Sequence, residues 1–207
     1  DDLPYEQVQE LRAAYYATVT YLDALLGRVL DALEASGQAE NTLIVYTSDH
    51  GFSLGDHYIF GLFHMYEESL KVPLVMAGAG IPQGHRVQAP VSHTDLCPTF
   101  LEACGISPDD GEQGQLAESL WPILTGTKQD RGPVFAEYHG TGTRSGGFML
   151  RQGRHKLIYF VDMPPQLFDL ASDPQEAINL AEIPAHADLL ADMMAALEAR
   201  VDPVAVD

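Results

Sequence analysis

The stretch Thr42-Leu43-Ile44-Val45-Tyr46-Thr47-Ser48-Asp49-His50-Gly51 decides how this chain is read. Its apolar, β-branched run carries no polar alternation, which reads as a strand buried on both faces, the kind found inside parallel α/β sheets. The run stops at a carboxylate, an imidazole and a glycine. Ligands of such sheets bind just beyond the carboxyl ends of the strands, so Asp49 and His50 stand where a site is expected. Gly51 would let the backbone turn sharply there.

Upstream, Val8, Leu11, Tyr15, Leu22, Leu26, Val29, Leu30 and Leu33 recur at three- and four-residue steps between Pro4 and Gly37. The spacing predicts one long amphipathic helix packed on the sheet, with Tyr15, Tyr16 and Tyr21 in the core. Downstream, the expectation is a polar and aromatic loop over 52–64, a short helix near 65–70 and a second buried strand at Val72–Met76. Val91 would end a further strand. Ser92 or Asp95 caps a helix reaching about Cys104, with Pro98 in its first turn and Gly105 at its end. Residues 109–114 read as a surface loop. From Gly132 the pattern changes to short strands at 134–138, 147–151, 155–160 and 166–170, with Gln152-Gly153-Arg154 as a hairpin turn. An alanine- and leucine-rich helix follows over 183–200. The expected division is 1–131 as part of an α/β domain and 132–207 as a small antiparallel-sheet subdomain with a terminal helix.

The chain has 207 residues, 46% of them hydrophobic, enough for a sizeable core. A formal net charge of −19 argues against nucleic-acid and anionic-membrane partners, since both require clustered Lys and Arg. Surface carboxylates that keep a protein monodisperse explain the charge more simply than cation binding does. No apolar run is long enough to span a bilayer, and no signal peptide is visible. Cys97 and Cys104, on one face of a helix with Cα atoms about 10 Å apart, are too distant for a disulfide and read as free, buried thiols. Free thiols suit a reducing, cytoplasmic compartment, and the localisation stays open.

Asp49-His50-Gly51-Phe52-Ser53-Leu54-Gly55-Asp56-His57 leads into Met65-Tyr66-Glu67-Glu68-Ser69-Leu70-Lys71-Val72-Pro73-Leu74-Val75. Later come Ser92-His93-Thr94-Asp95-Leu96-Cys97-Pro98-Thr99-Phe100-Leu101, then Leu167-Phe168-Asp169-Leu170, Asp173-Pro174-Gln175-Glu176 and Asn179-Leu180. Together these resemble the sulfatase family of the alkaline-phosphatase-like superfamily, and Glu137-Tyr138-His139-Gly140 with Gly147–Arg151 resembles its choline-sulfatase-like branch. The resemblance implies the C-terminal portion of an α/β alkaline-phosphatase-like sandwich with a small antiparallel sheet and helix. It implies metal-assisted hydrolysis of a sulfate ester, a small anionic substrate, by a formylglycine hydrate. The family's nucleophile lies in its N-terminal half, as a cysteine in a Cys-x-Pro-x-Arg or Cys-x-Ala-x-Arg setting or as a serine. Neither Cys97 nor Cys104 has that setting, and the paired aspartates of the family's first strand have no match. With Asp1-Asp2-Leu3-Pro4 opening the chain, the expectation is a C-terminal portion that holds no catalytic nucleophile and is inactive alone.

By the same resemblance Asp49 and His50 are two ligands of a divalent cation, calcium first and manganese or zinc second, because imidazole suits the latter two better. An isolated Asp-His pair would instead read as a turn cap beside a loop histidine. The family's sulfate-contacting lysine falls here on Leu62, which carries neither charge nor donor. His57, His64 and His139 are candidates for lining a substrate pocket, able to donate to an ester oxygen or protonate a leaving alkoxide. His93 reads as structural. Arg144, Arg151 and Arg154 could replace the lost lysine, although hairpin arginines are usually solvated. Two other readings stay open: a phosphodiesterase or phosphonate monoester hydrolase of the same superfamily, and a non-catalytic assembly module. A homo-oligomer also stays open.

Overall fold

A computed structural model describes residues 3–106 and 117–206; the loop expected at 109–114 lies outside them. Their packing divides into two units. One holds the residues up to His64 with Glu68–Gln83; the other holds Met65–Glu67 with the residues from Gly84 onward. No helix among the described residues is long and apolar enough to cross a membrane.

In the first unit, helix α1 (Tyr5–Ala35) has the predicted length, but none of its residues is buried. Tyr16 and Tyr21 are 62% and 65% exposed, so the tyrosines are not core residues as expected. What α1 meets is the loop after the decisive strand: Arg12 Nε donates to the Leu54 carbonyl at 2.9 Å, and Tyr15 stacks on Phe52. The decisive strand is β1 (Leu43–Thr47), and its partner is not parallel. It pairs antiparallel with β4 (Leu74–Gly78), from Leu43 opposite Gly78 to Thr47 opposite Leu74. Four of the five β1 residues are half-buried and Tyr46 is exposed opposite Val75, so the run is not buried on both faces as expected. Gly78 has φ +95, and a Cβ there would stand 2.0 Å from the Thr42 carbonyl oxygen, so only glycine closes this pair. Between them, β2 (Ser53–Leu54) and β3 (Phe60–Gly61) form a minimal hairpin, and α2 (Glu67–Leu70) is a single turn.

In the second unit no strand forms at Val91; residues 86–92 run irregularly. The sequence offered Ser92 or Asp95 as the cap of a helix; the two make a reciprocal capping box on the 3-10 turn His93–Asp95, which leads into α3 (Leu96–Ala103), and Gly105 follows at φ +70. The wholly buried Asp95 also pairs with Arg131 at 2.6 Å and accepts the Glu118 amide at 3.0 Å. Cys97 and Cys104 are free thiols, but both are exposed, the first within α3 and the second at its C-terminal cap, against the expectation of burial. After α4 (Trp121–Leu124), strands β5 (Val134–Tyr138), β6 (Gly147–Gln152), β7 (His155–Phe160) and β8 (Gln166–Asp169) form an antiparallel meander in chain order. The β6–β7 turn is Gly153-Arg154, with Gly153 at φ +58. Phe148, Leu150, Leu157 and Leu167 pack against Met193 and Leu197 of α5 (Ala187–Glu198). That helix starts later than predicted, because Pro184 opens a separate 3-10 turn at Pro184–His186.

Candidate metal centre

Strand β1 ends at Thr47, and Ser48, Asp49 and His50 form the turn beyond it. The Asp49 side chain is 83% exposed and that of His50 44%. Asp49 Oδ1 accepts the His50 amide at 2.9 Å and the Ser48 hydroxyl at 3.3 Å. Ser48 Oγ also donates to the His50 carbonyl at 2.9 Å. The amide of His50 holds the Asp49 carboxyl below its usual range, so at neutral pH it is a carboxylate.

His50 Nδ1 lies 2.8 Å from the Gly51 carbonyl oxygen. A carbonyl can only accept, so Nδ1 carries a proton. In the neutral ring, Nε2 then carries a lone pair, and it stands 3.5 Å from Asp49 Oδ2. Two acceptors facing each other at this separation repel unless a cation or a proton lies between them.

Gly51 was expected to let the backbone turn sharply. The structure adds a further reason for glycine: its amide donates to the Ser69 carbonyl at 2.7 Å, and a Cβ on it would stand 2.0 Å from the Glu68 carbonyl oxygen. Close backbone approach, not a positive φ, requires glycine here. Ser69 is buried, and its hydroxyl bonds the Leu62 carbonyl. Ser48 and Ser69 were not recognised as parts of the site; the only sequence signal was their place inside the quoted motifs.

His57, half-buried at φ +52, sits in the turn Asp56–Tyr58, and His64 is half-buried at the end of the same loop. Leu62 is half-buried and contributes its backbone. His139 belongs to the second unit; its ring meets Phe148 edge-on at 5.4 Å, and Nε2 lies 3.7 Å from Glu137. Two of the three arginines are already engaged: Arg151 pairs with Glu67 at 3.2 Å, and Arg154 with Asp169.

The sulfatase family model matches residues 2–106, and that of the C-terminal part of N-sulphoglucosamine sulphohydrolase matches residues 55–202. The chain belongs to the sulfatase family. A choline-sulfatase of Rhizobium meliloti (strain 1021) is 36% identical over 183 residues, covering 88% of this chain and 35% of that protein. The structure of BT4656 in complex with its substrate D-glucosamine-2-N,6-O-disulfate has a TM-score of 0.79 at 32% identity, covering 89% of this chain and 39% of that one. A phosphonate monoester hydrolase of Agrobacterium radiobacter has a TM-score of 0.83 at 30% identity, covering 96% and 43%. This sulfatase chain therefore spans about a third of the length of the curated relatives it matches. The neighbours place its fold among alkaline-phosphatase-like α/β proteins, as expected.

Proposed function

We propose that the chain is the C-terminal part of a sulfate-ester hydrolase, contributing two cation ligands, Asp49 Oδ2 and His50 Nε2. The observation that carries this reading is the 3.5 Å separation of those atoms, with the other side of each group already spent on Ser48, His50 N and the Gly51 carbonyl. Outer hydrogen bonds that fix the tautomer and orientation of a ligand are what a metal site requires. When bound, the cation would supply a Lewis acid for the ester oxygens. Calcium is favoured on family grounds; the imidazole favours manganese or zinc. The chain's own residues would hold that charge at the end of β1 and keep the turn fixed through Gly51 and Ser69. His57 and His64 would face the substrate and serve as proton donors to the leaving alkoxide. The left-handed backbone at His57 supports this for that residue, because such strain gathers at functional sites. The nucleophile, a formylglycine, would come from sequence outside this chain.

The deciding experiment titrates Mn2+ into the chain and follows free Mn2+ by electron paramagnetic resonance, with Ca2+ in parallel by calorimetry. One cation per chain is expected, with affinity reduced at least tenfold in Asp49→Asn and in His50→Ala. Equal binding by the wild type and both variants, or none by any, overturns the assignment. The superfamily's phosphonate or phosphodiester hydrolases are the second reading, favoured by Leu62 in place of a cationic side chain. A longer polypeptide carrying this chain, assayed on aryl sulfate and aryl phosphate esters, separates the two.

A further inference from the structure

The motif running from Leu167 to Leu180 is used by no step above, yet its polar residues build a single turn. The Asp169 carbonyl accepts the Asp173 amide at 2.8 Å, and Asp173 Oδ2 accepts the Ile178 amide at 2.8 Å. Asn179 Oδ1 takes two amides, those of Leu167 at 2.9 Å and Ala181 at 3.1 Å. Together they hold Glu176 at φ +53, a conformation that a residue with a long side chain adopts only when its surroundings impose it.

What the strain achieves is delivery of a carboxylate into the interior. Glu176 is 3% exposed, and its Oε2 accepts the Glu67 amide at 2.6 Å. Its Oε1 lies 2.8 Å from Nζ of Lys156, a charge pair with poor hydrogen-bond alignment. Lys156 is wholly buried on β7 and also bonds Glu67 Oε1 at 2.9 Å, while Arg151 meets Glu67 Oε2 at 3.2 Å. Two carboxylates thus face two cations, and Glu67 is gripped by both its backbone and its side chain. A buried network of this kind contributes little net stability, because desolvation offsets the attraction, but it fixes geometry strongly. The chain continues from Glu67 directly into Glu68 and Ser69, the residues whose carbonyls Gly51 meets.

We infer that Glu176 and Lys156 are positioning residues: by fixing Glu67 they set the Glu68-Ser69 backbone, and with it the Asp49-His50-Gly51 turn. The inference takes its functional meaning from the metal-centre reading above but is tested without metal. Amide exchange at Gly51 and Glu67 is followed by two-dimensional NMR on the full chain, free of divalent cations. The variants are Glu176→Ala, Glu176→Gln, Lys156→Met and Lys156→Arg. Leu197→Ala, in the core beneath α5, serves as the control, compared at matched distance below each variant's melting temperature.

Lys156→Met and Glu176→Ala are expected to speed exchange at both amides at least tenfold beyond the control, and Lys156→Arg to restore protection. If Glu176→Ala does not fold, Glu176→Gln and Lys156→Met are read in the same way. Gly51 exchange that stays at the wild-type rate, or that merely tracks the control, overturns the inference. A wild-type chain that binds no Mn2+ while its Gly51 amide still responds to Lys156 removes the metal reading and leaves the positioning role standing.

Discussion

Gly51 and Ser69 approach so closely that no side chain fits between their backbones. The Gly51 amide donates to the Ser69 carbonyl at 2.7 Å, and a Cβ at position 51 would stand 2.0 Å from the neighbouring Glu68 carbonyl oxygen. Gly51→Ala must therefore move one of the two segments. It is expected to destabilise the chain by about 1–3 kcal/mol, the usual cost of forced overpacking. It should also weaken Mn2+ binding at least tenfold while leaving the far-ultraviolet circular dichroism unchanged. Calorimetric titration beside a urea melt checks both, and wild-type affinity in a folded Gly51→Ala chain contradicts the prediction.

The exposed tyrosines and the buried leucines should separate cleanly. Tyr21, 65% exposed on α1, is expected to change stability by no more than about 0.5 kcal/mol when replaced by alanine. Leu157, fully buried among Phe148, Leu167 and Leu197, should cost about 2–5 kcal/mol on the same change. Urea midpoints at constant slope measure the two. A costly Tyr21→Ala would restore the core role that helical spacing suggested.

Asp169 sets an acid limit. The Arg154 guanidinium holds its carboxyl far below the usual range, helped by the Ser172 hydroxyl and the Ala171 amide. A carboxyl depressed on folding contributes stability that is complete above the ordinary carboxyl value, about pH 4, and is lost as pH falls below it. Asp169→Asn should thus lower stability at pH 7 and flatten its decline on acidification below about pH 4. Unfolding midpoints taken from pH 7 to pH 2 would show parallel curves for the two proteins if the pair were inert.

Cys97 and Cys104 are exposed thiols. Both should react with a thiol-specific chromogenic disulfide in the native state, two equivalents per chain without denaturant. An oxidant is not expected to link them within one folded molecule, since about two helical turns separate them. Release of fewer than two equivalents until urea is added would place at least one of them in the interior.

How much of this was legible in the sequence depends on which interaction decided each element. Asp49 and His50 at the end of an apolar strand could be read directly, because an abrupt change from β-branched to ionisable residues is a local signal. The direction of pairing could not: Thr47 opposite Leu74 is a long-range choice that no local residue pattern announces. The length of α1 followed from its apolar steps, but periodicity names a face without saying what covers it. The meander of β5–β8 was legible from its turns. Lys156 was not, since a lysine inside a strand is read as solvated; its burial depends on Glu67 and Glu176, both far away in the chain.

The meander has a kinetic consequence. Each strand from β5 to β8 pairs only with its neighbour in the chain, and the Gly153-Arg154 turn closes the central hairpin with two residues. Short loops are entropically cheap to close, so this sheet should zip up early, while β1 must wait for distant β4. During synthesis β1 leaves the ribosome before the meander, yet the later-made strands β5 to β8 are the ones equipped to collapse fastest.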